Sequence, residues 1–482
     1  MPRFIRRISD SALQFLINQA FGLGLFYVLS RGLDKEQFGE LNWTLAVFLT
    51  AFNILALGLD QMSVRKIAAG DAPEKVLSLY RTHVLLAGGV FYTSLLVSRY
   101  LFPGFFAQHS LLLWIGLAKT GLFFSTPYKQ LASGREQFGV LLRMSICSSI
   151  FKGIVLISCF LLHVLTLPVL LVVFIAGDLA EWQISAYLGR KILQNPLSSA
   201  IDRKGWFLLI RESLPQVGVV LFSSAMARFD WIFIGLFSSA PRLAEYSFAY
   251  KAFEVSSVPL LIIAPLLIPF FTRLFKQDQG RAEGQDRTQG HAQGQGDLPL
   301  LLRGELILGC WTAMLLNVGW SPLIDSVTAG RYGAVNAPTV FILSLCLPLL
   351  YLNNFLWTVH FARGRFKMIF WVFALSFVCN VGGDIWLIPL YGNIGAAAAY
   401  FLAIGLQTIL YGWNVRESSL KWSWITLLIS ASGAALSGYF SRRLLSGVFP
   451  QLLCASLFYV IILLLAGQLR PADYRYLRSK IS

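Results

Sequence analysis

Charge is scarce in this chain. Only 13% of its 482 residues are Asp, Glu, Lys or Arg, against 56% that are hydrophobic, and so little charge cannot clothe two or three water-soluble domains. Cysteine is scarce too. The six, at 147, 159, 310, 346, 379 and 454, include no CxxC pair, which argues against a disulfide framework and a thiolate metal site; each falls in an apolar run and reads as a small core residue. The motifs of common catalysis are missing: no GxxxxGK[ST] loop to cradle nucleotide phosphates, no HExxH and no GxSxG. No metal, cofactor or nucleic-acid partner is expected, and no enzymatic activity. The apolar runs are solid, not alternating, which excludes a transmembrane barrel.

What is there is apolar length. Runs at 11–30, 40–60, 82–102, 110–133, 143–163, 166–187, 212–238, 246–272, 299–326, 336–360, 368–388, 392–413, 423–440 and 449–468 predict an all-α polytopic membrane protein of fourteen spans, each needing about 20 residues. An even number of crossings returns both termini to one side. With that side cytoplasmic, only Arg31, Lys35, Arg99, Arg242, Arg331, Arg442 and Arg443 fall in outer connections, four cations lie inside the runs, and the other 29 of the 40 Lys and Arg are inside. This is the positive-inside pattern, and it accounts for most of the net charge of +16. Arg3, Arg6 and Arg7 precede the first run, which has no small-residue cleavage site after it and reads as a retained first helix anchored inside. Outer connections are short and leave no room for an external catalytic domain. The inner stretch 273–298, rich in Gln, Gly and charge, is expected to be a disordered cytoplasmic loop.

The chain echoes itself. Ala132, Gly134 and Arg135 recur as Ala362, Gly364 and Arg365, and Phe26 to Leu29 resembles Phe233 to Leu236. The two offsets differ by roughly the size of the polar insertion, as expected of a duplicated six-helix unit. The expected organisation is an N-lobe at 1–195, a C-lobe at 196–415 and two further helices with a tail at 416–482. Two such lobes can open alternately to either face, with a substrate site near the midplane between them, so transport leads as the function.

Ionisable residues inside the runs are costly unless they face a cavity or a partner. Lys119, Lys152, Asp178 and Glu181 lie in the first lobe, and Arg228, Asp230, Lys251 and Glu254 in the second. Asp178 and Glu181, three apart, share a helix face, as do Lys251 and Glu254. These charges either cancel in pairs, for instance Lys152 with Asp178, or serve a substrate. Arg228, about ten residues from the end of its run and so roughly 15 Å deep, suits paired hydrogen bonds to a phosphate. Gln14, Asn18, Gln19, Asn42, Asn53, Asn353 and Asn354 are further polar candidates for a cavity or for helix contacts. Prolines 127, 259, 265, 269 and 348 are candidate bends. Asp60, Asp325 and Asp384 lie close to the ends of their runs.

Particular stretches carry a family resemblance. Asn18 with Gln19, LSRGLDKEQFGEL over 29–41, LGLD over 57–60 and VRKIA over 64–68 open the chain; RFDWIFIGLFSS over 228–239 and AEYSFAYKAFE over 244–254 follow. Together they resemble the Wzx-type polysaccharide or O-antigen flippases of the multidrug/oligosaccharidyl-lipid/polysaccharide exporter superfamily. The resemblance implies a two-lobed transporter that flips a polyprenyl-pyrophosphate-linked oligosaccharide from the cytoplasmic to the outer leaflet. It implies a cationic cavity, assigned here to Arg228, Lys251, Lys119 and Lys152, with Asp230, Glu254, Asp178 and Glu181 as candidates for ion coupling. The partners implied are the anionic lipid-linked glycan, membrane lipid, and a polysaccharide polymerase and glycosyltransferases. It also implies that the last two helices form a groove for the lipid tail, where Ala431, Gly433, Ala435 and Gly438 suit close packing. A lipid II flippase and a multidrug or toxin exporter of the same superfamily remain alternatives, with a membrane-embedded sugar polymerase further off.

Overall fold

The computed structural model describes residues 19–193, 202–260, 271, 290–415 and 423–470. All regular structure among them is helical, and every predicted span falls on a helix, the first and eighth in part. Chain contacts divide the protein into two compact units, Met1–Ala244 and Glu245–Ser482. This is a division by packing; the lobes drawn at 195/196 and 415/416 rest on sequence symmetry.

The first unit holds α1 (19–32), α2 (Lys35–Leu55), α3 (Leu59–Ala68), α4 (Pro73–Leu101), α5 (Pro103–Gln108), α6 (Leu111–Gly134), α7 (Phe138–Leu161), α8 (Leu167–Ile192) and α9 (Arg203–Phe237). Local chemistry sets several boundaries. Asp34 caps α2 by accepting from the Gln37 amide at 2.7 Å, and prolines enter α4 and α8 in their first turn, where no amide bond is lost. The seventh predicted span, α9, packs within this unit: the Trp43 indole of α2 donates to the Ile232 carbonyl at 3.2 Å. Phe52 stacks on Phe123 and meets Phe91 edge-on, tying α2 to α6 and α4.

α10 (Ala240–Ser256) straddles the division. The second unit continues with α11 (Gly290–Thr328), α12 (Gly333–Ala362), α13 (Phe366–Tyr391), α14 (Asn393–Trp413), α15 (Ser423–Leu444) and α16 (Val448–Leu465). The expected loop at 273–298 is shorter on its far side, because the backbone is already helical from Gly290; residues 272–289 lie outside the described residues. Asp325 near the end of α11 accepts from the Gly333 and Ala334 amides at 2.8 and 2.9 Å, satisfying the first turn of α12. α15 and α16 pack on α11: Tyr459 donates to the Ile307 carbonyl at 3.0 Å and Trp311 to Ser456 at 3.1 Å. Gly433 faces Ile462 of α16 and Gly438 faces Val318 of α11. Ala431 and Ala435 are exposed, so half of the expected small-residue stripe points away from protein.

Ten described helices are long and apolar enough to cross a membrane. The fully described predicted spans outside that group are α6 and α9, interrupted by Lys119, Lys129, Arg228 and Asp230. Large apolar side chains such as Val90, Val97, Trp371, Val378, Leu428 and Leu453 are exposed on the helices, the surface that lipid would cover. This corrects the reading of the cysteines as core residues. Cys310 and Cys346 are buried, but Cys147 is exposed and Cys159, Cys379 and Cys454 are intermediate, because an apolar position in a span faces either protein or lipid.

Candidate functional site

In the first unit, α6, α7 and α8 bring five charged side chains into one chain of ion pairs. Asp178 of α8 receives Lys119 of α6 at 2.7 Å on one oxygen and Lys152 of α7 at 2.5 Å on the other. Lys152 also approaches Glu181 at 4.0 Å, and the second Glu181 oxygen is bound by Lys129. The order is therefore Lys119, Asp178, Lys152, Glu181, Lys129, with sign alternating along it. Asp178 and Glu181 meet these partners because residues three apart on a helix lie on one face.

Close helix approach makes the geometry possible. A Cβ on Gly177 would lie 2.7 Å from Cγ of Lys152; the bare backbone lets the lysine stem cross α8 to reach Asp178. Ser148 of α7 donates to the Gly177 carbonyl at 2.9 Å and locks the same crossing. Phe174, one turn before Asp178, presents its ring to both ammonium groups, 5.0 Å from Lys119 and 5.9 Å from Lys152.

The cluster is asymmetric. Its acids are buried, with side-chain exposures of 0% for Asp178 and 6% for Glu181, whereas Lys119, Lys152 and Lys129 keep 16%, 12% and 19%. Three cations meet two acids, so the group carries a net positive charge, and its partly exposed side chains are the lysines. Pairing between Lys152 and Asp178, one of the two readings left open by the sequence, is present, yet pairing does not neutralise the group. Lys129, one of the 29 inner-side cations of the sequence, makes the difference.

The other candidates are placed separately. Arg228 and Asp230 stand on α9, within the first unit. The Arg228 guanidinium lies over the Trp231 ring at 4.5 Å, and the buried Asp230 accepts from the Trp231 amide at 2.8 Å. Lys251 pairs with Glu254 at 2.8 Å along α10. Asn353 is a helix staple, donating to the Ile404 carbonyl at 3.1 Å and to Gln407 at 3.2 Å, and so joins α12 to α14. Its neighbour Asn354 is half-buried, as is Gln19; Asn42 is buried and bonds back to the Phe38 carbonyl at 2.8 Å. Asn18 and Gln14 lie outside the described residues.

Three acids were given no role by the sequence, Asp60 and Asp384 as residues close to the ends of their runs and Glu305 unremarked. Asp384 is fully buried on α13 with Asn380 one turn before it; the run seemed to end at 388, but the helix continues to Tyr391, which leaves Asp384 deeper than expected. Asp60 heads the short helix α3, where Tyr80 of α4 and, at 3.2 Å, Gln130 of α6 donate to it. Glu305 is buried on α11. For each, the available signal was an acid inside an apolar run and near its end. The second unit also holds a cavity of about 430 Å³ lined in part by Asn317, Trp320, Arg442 and Gln451.

The family described as "Polysaccharide biosynthesis protein" matches residues 7–275. No curated protein matches the chain. Among solved structures, the lipid II flippase MurJ in an inward closed conformation is similar with a TM-score of 0.73 at 14% identity, over 94% of this chain and 98% of that one. An inward-facing multidrug resistance MATE family transporter of the MOP superfamily gives 0.63 at 12% identity, over 86% and 96%. A MOP superfamily transporter from Pyrococcus furiosus, whose structure is described by a binding pocket of reversed polarity, gives 0.58 at 11%, over 88% and 95%. The fold is that of these transporters, in a multi-pass membrane protein.

Proposed function

The chain belongs to the polysaccharide biosynthesis protein family, and from that membership we propose that it is a flippase that carries a polyprenyl-pyrophosphate-linked oligosaccharide from the cytoplasmic to the outer leaflet by alternating access. The observation that carries this reading is the cluster on α6, α7 and α8, where three partly exposed lysines outnumber two buried acids inside membrane helices. A diphosphate entering a membrane loses its hydration, and paired cations replace it. Arg228, its guanidinium 4.5 Å over the Trp231 ring, is assigned to the same anion. Lys251 is assigned to the same substrate, with Asp230, Glu254, Asp178 and Glu181 as acids able to couple an ion.

The chain works in the bacterial cytoplasmic membrane with both termini inside, and hands its product to a polysaccharide polymerase supplied by glycosyltransferases. No nucleotide is required in principle. Moving an anion outward across an inside-negative membrane releases about 2.3 kcal/mol per charge per 100 mV, hence roughly 5 for a doubly charged diphosphate. Deletion of the protein followed by analysis of lipid-linked glycans tests the reading: the complete intermediate should accumulate on the cytoplasmic leaflet, and its normal appearance outside would refute it.

A lipid II flippase is the second reading, favoured by the likeness to MurJ over nearly the whole of both chains. Both substrates share a polyprenyl diphosphate, so the same cationic cluster serves either. The identity of the stranded lipid in the deletion strain separates them.

A further inference from the structure

Glu305 is 4% exposed and stands seven residues inside the span that begins at Leu298, about 10 Å along the helix. Neither of its carboxyl oxygens has a hydrogen-bond partner, and no cation lies within 4 Å of it among the described residues. Every buried acid of the first-unit cluster, by contrast, has a lysine. A buried polar group with no partner demands an explanation.

The surroundings narrow what this carboxyl can hold. Gly309, one turn further and on the same face of α11, is so close to α12 that a Cβ would meet Cα of Pro348 and the Tyr351 ring at 3.1 Å each. Tyr351 is the titratable group of α12 that feels the charge of Glu305; Cys346 and His360 are the others on that helix, and His360 stacks on Tyr411. From α15, Arg442 is held on the Asn317 carbonyl and Arg443 over Tyr439. From α16, Tyr459 is spent on the Ile307 carbonyl, and Cys454 is the remaining group. On α11 itself, Arg303 has a partner of its own, and Cys310 is buried. A metal ion needs several ligands together, and no group of three or more His, Cys, Asp or Glu occurs among the described residues. A proton needs one oxygen.

We propose that Glu305 is a proton-binding site of the second unit: its carboxylate takes one proton from water to become a neutral acid when α11 and α12 enclose it, and returns that proton to water when they part. The site stands by itself; its use as the coupling ion of transport rests on the flippase reading.

The test uses the full chain in liposomes. Infrared spectra should show the carbonyl stretch of a protonated carboxyl in apolar surroundings, lost as pH is raised, absent from Glu305→Gln and retained, shifted, in Glu305→Asp. Circular dichroism of Glu305→Gln confirms folding. Identical bands in wild type and Glu305→Gln overturn the proposal, as does loss of the band on adding sodium at constant pH. In a second arm, a pH gradient should accelerate transport of a polyprenyl-diphosphate glycan by wild type, with the acceleration lost in Glu305→Gln while potential-driven transport persists. An unchanged gradient response removes the coupling role. If neither protein transports this substrate, the flippase reading fails and the infrared arm still decides the site.

Discussion

Arg135 and Arg365 perform the same task in their separate units. Arg135, at the end of α6, donates to the Ile192 carbonyl that closes α8 at 2.5 Å; Arg365, just after α12, donates to the Asn414 carbonyl that closes α14 at 3.1 Å. In each case the guanidinium satisfies an orphan carbonyl at the far end of the helix two crossings later. Their backbones are not in the same register, however. The left-handed residue of each turn is Glu136 in one and Gly364 in the other, so the structural offset is two residues shorter than the sequence echo. A duplicated unit whose turns have drifted while the function of the arginine persisted would look like this.

The lysines of the cluster should differ in importance. Lys152 reaches both acids while Lys119 reaches only Asp178. Removing one partner of a buried pair leaves an uncompensated charge and costs about 3–5 kcal/mol. In Lys152→Met, Asp178 keeps Lys119 and Glu181 keeps Lys129, so the loss should stay below that figure but exceed that of Lys119→Met, which weakens the pairing of Asp178 alone. Thermal unfolding of the purified variants checks the order, and equal losses would show that Glu181 does not feel Lys152.

Gly177→Ala isolates geometry from charge. The new methyl group has to displace the Lys152 stem, while Ala is the better helix former by about 1 kcal/mol. Export should fall several-fold with little loss of melting temperature. Unimpaired export would mean that the contact between Lys152 and Asp178 is dispensable.

How much of this was legible beforehand depended on the kind of signal. Apolar runs located each of the ten described helices long and apolar enough to cross a membrane, since such a helix must satisfy its backbone internally and be apolar along its length. The four charges Lys119, Lys152, Asp178 and Glu181 stood out for the same reason, and they do form one cluster. Lys129 did not, because it lies near the inner end of α6, where a lysine is usually a topology signal; only the packing of α8 shows that it bends back to Glu181. Glu305 lies inside the run at 299–326, but Arg303 two residues before it counted with the inner connection and masked the acid beside it. Which of Asn353 and Asn354 would staple α12 to α14 depends on helix rotation, which weakly amphipathic spans do not reveal.

Asp60 gives a pH dependence outside the spans. Burial raises its carboxyl above the ordinary 3.8, partly offset by the Tyr80 and Gln130 donors. A carboxyl raised in the folded state contributes stability that is present below the unfolded value and is lost as pH climbs through the folded one. Asp60→Asn keeps an acceptor for both donors and cannot ionise. Wild type should therefore lose stability relative to Asp60→Asn as pH rises from 3.8 to neutrality; melting curves across that window would contradict this if wild type gained instead.

Arg228 is the sharpest test of the substrate's charge. Its guanidinium lies 4.5 Å over the Trp231 ring, and a planar guanidinium can offer two parallel hydrogen bonds to one anion. A lysine keeps the charge but neither the plane nor the second donor. Arg228→Ala should abolish surface glycan with the protein still folded and inserted, and Arg228→Lys should restore only part of it. Full restoration by lysine would reduce the requirement to a point charge. Normal glycan in Arg228→Ala cells would take the residue out of the mechanism and leave the lysines of α6 and α7 to hold the diphosphate.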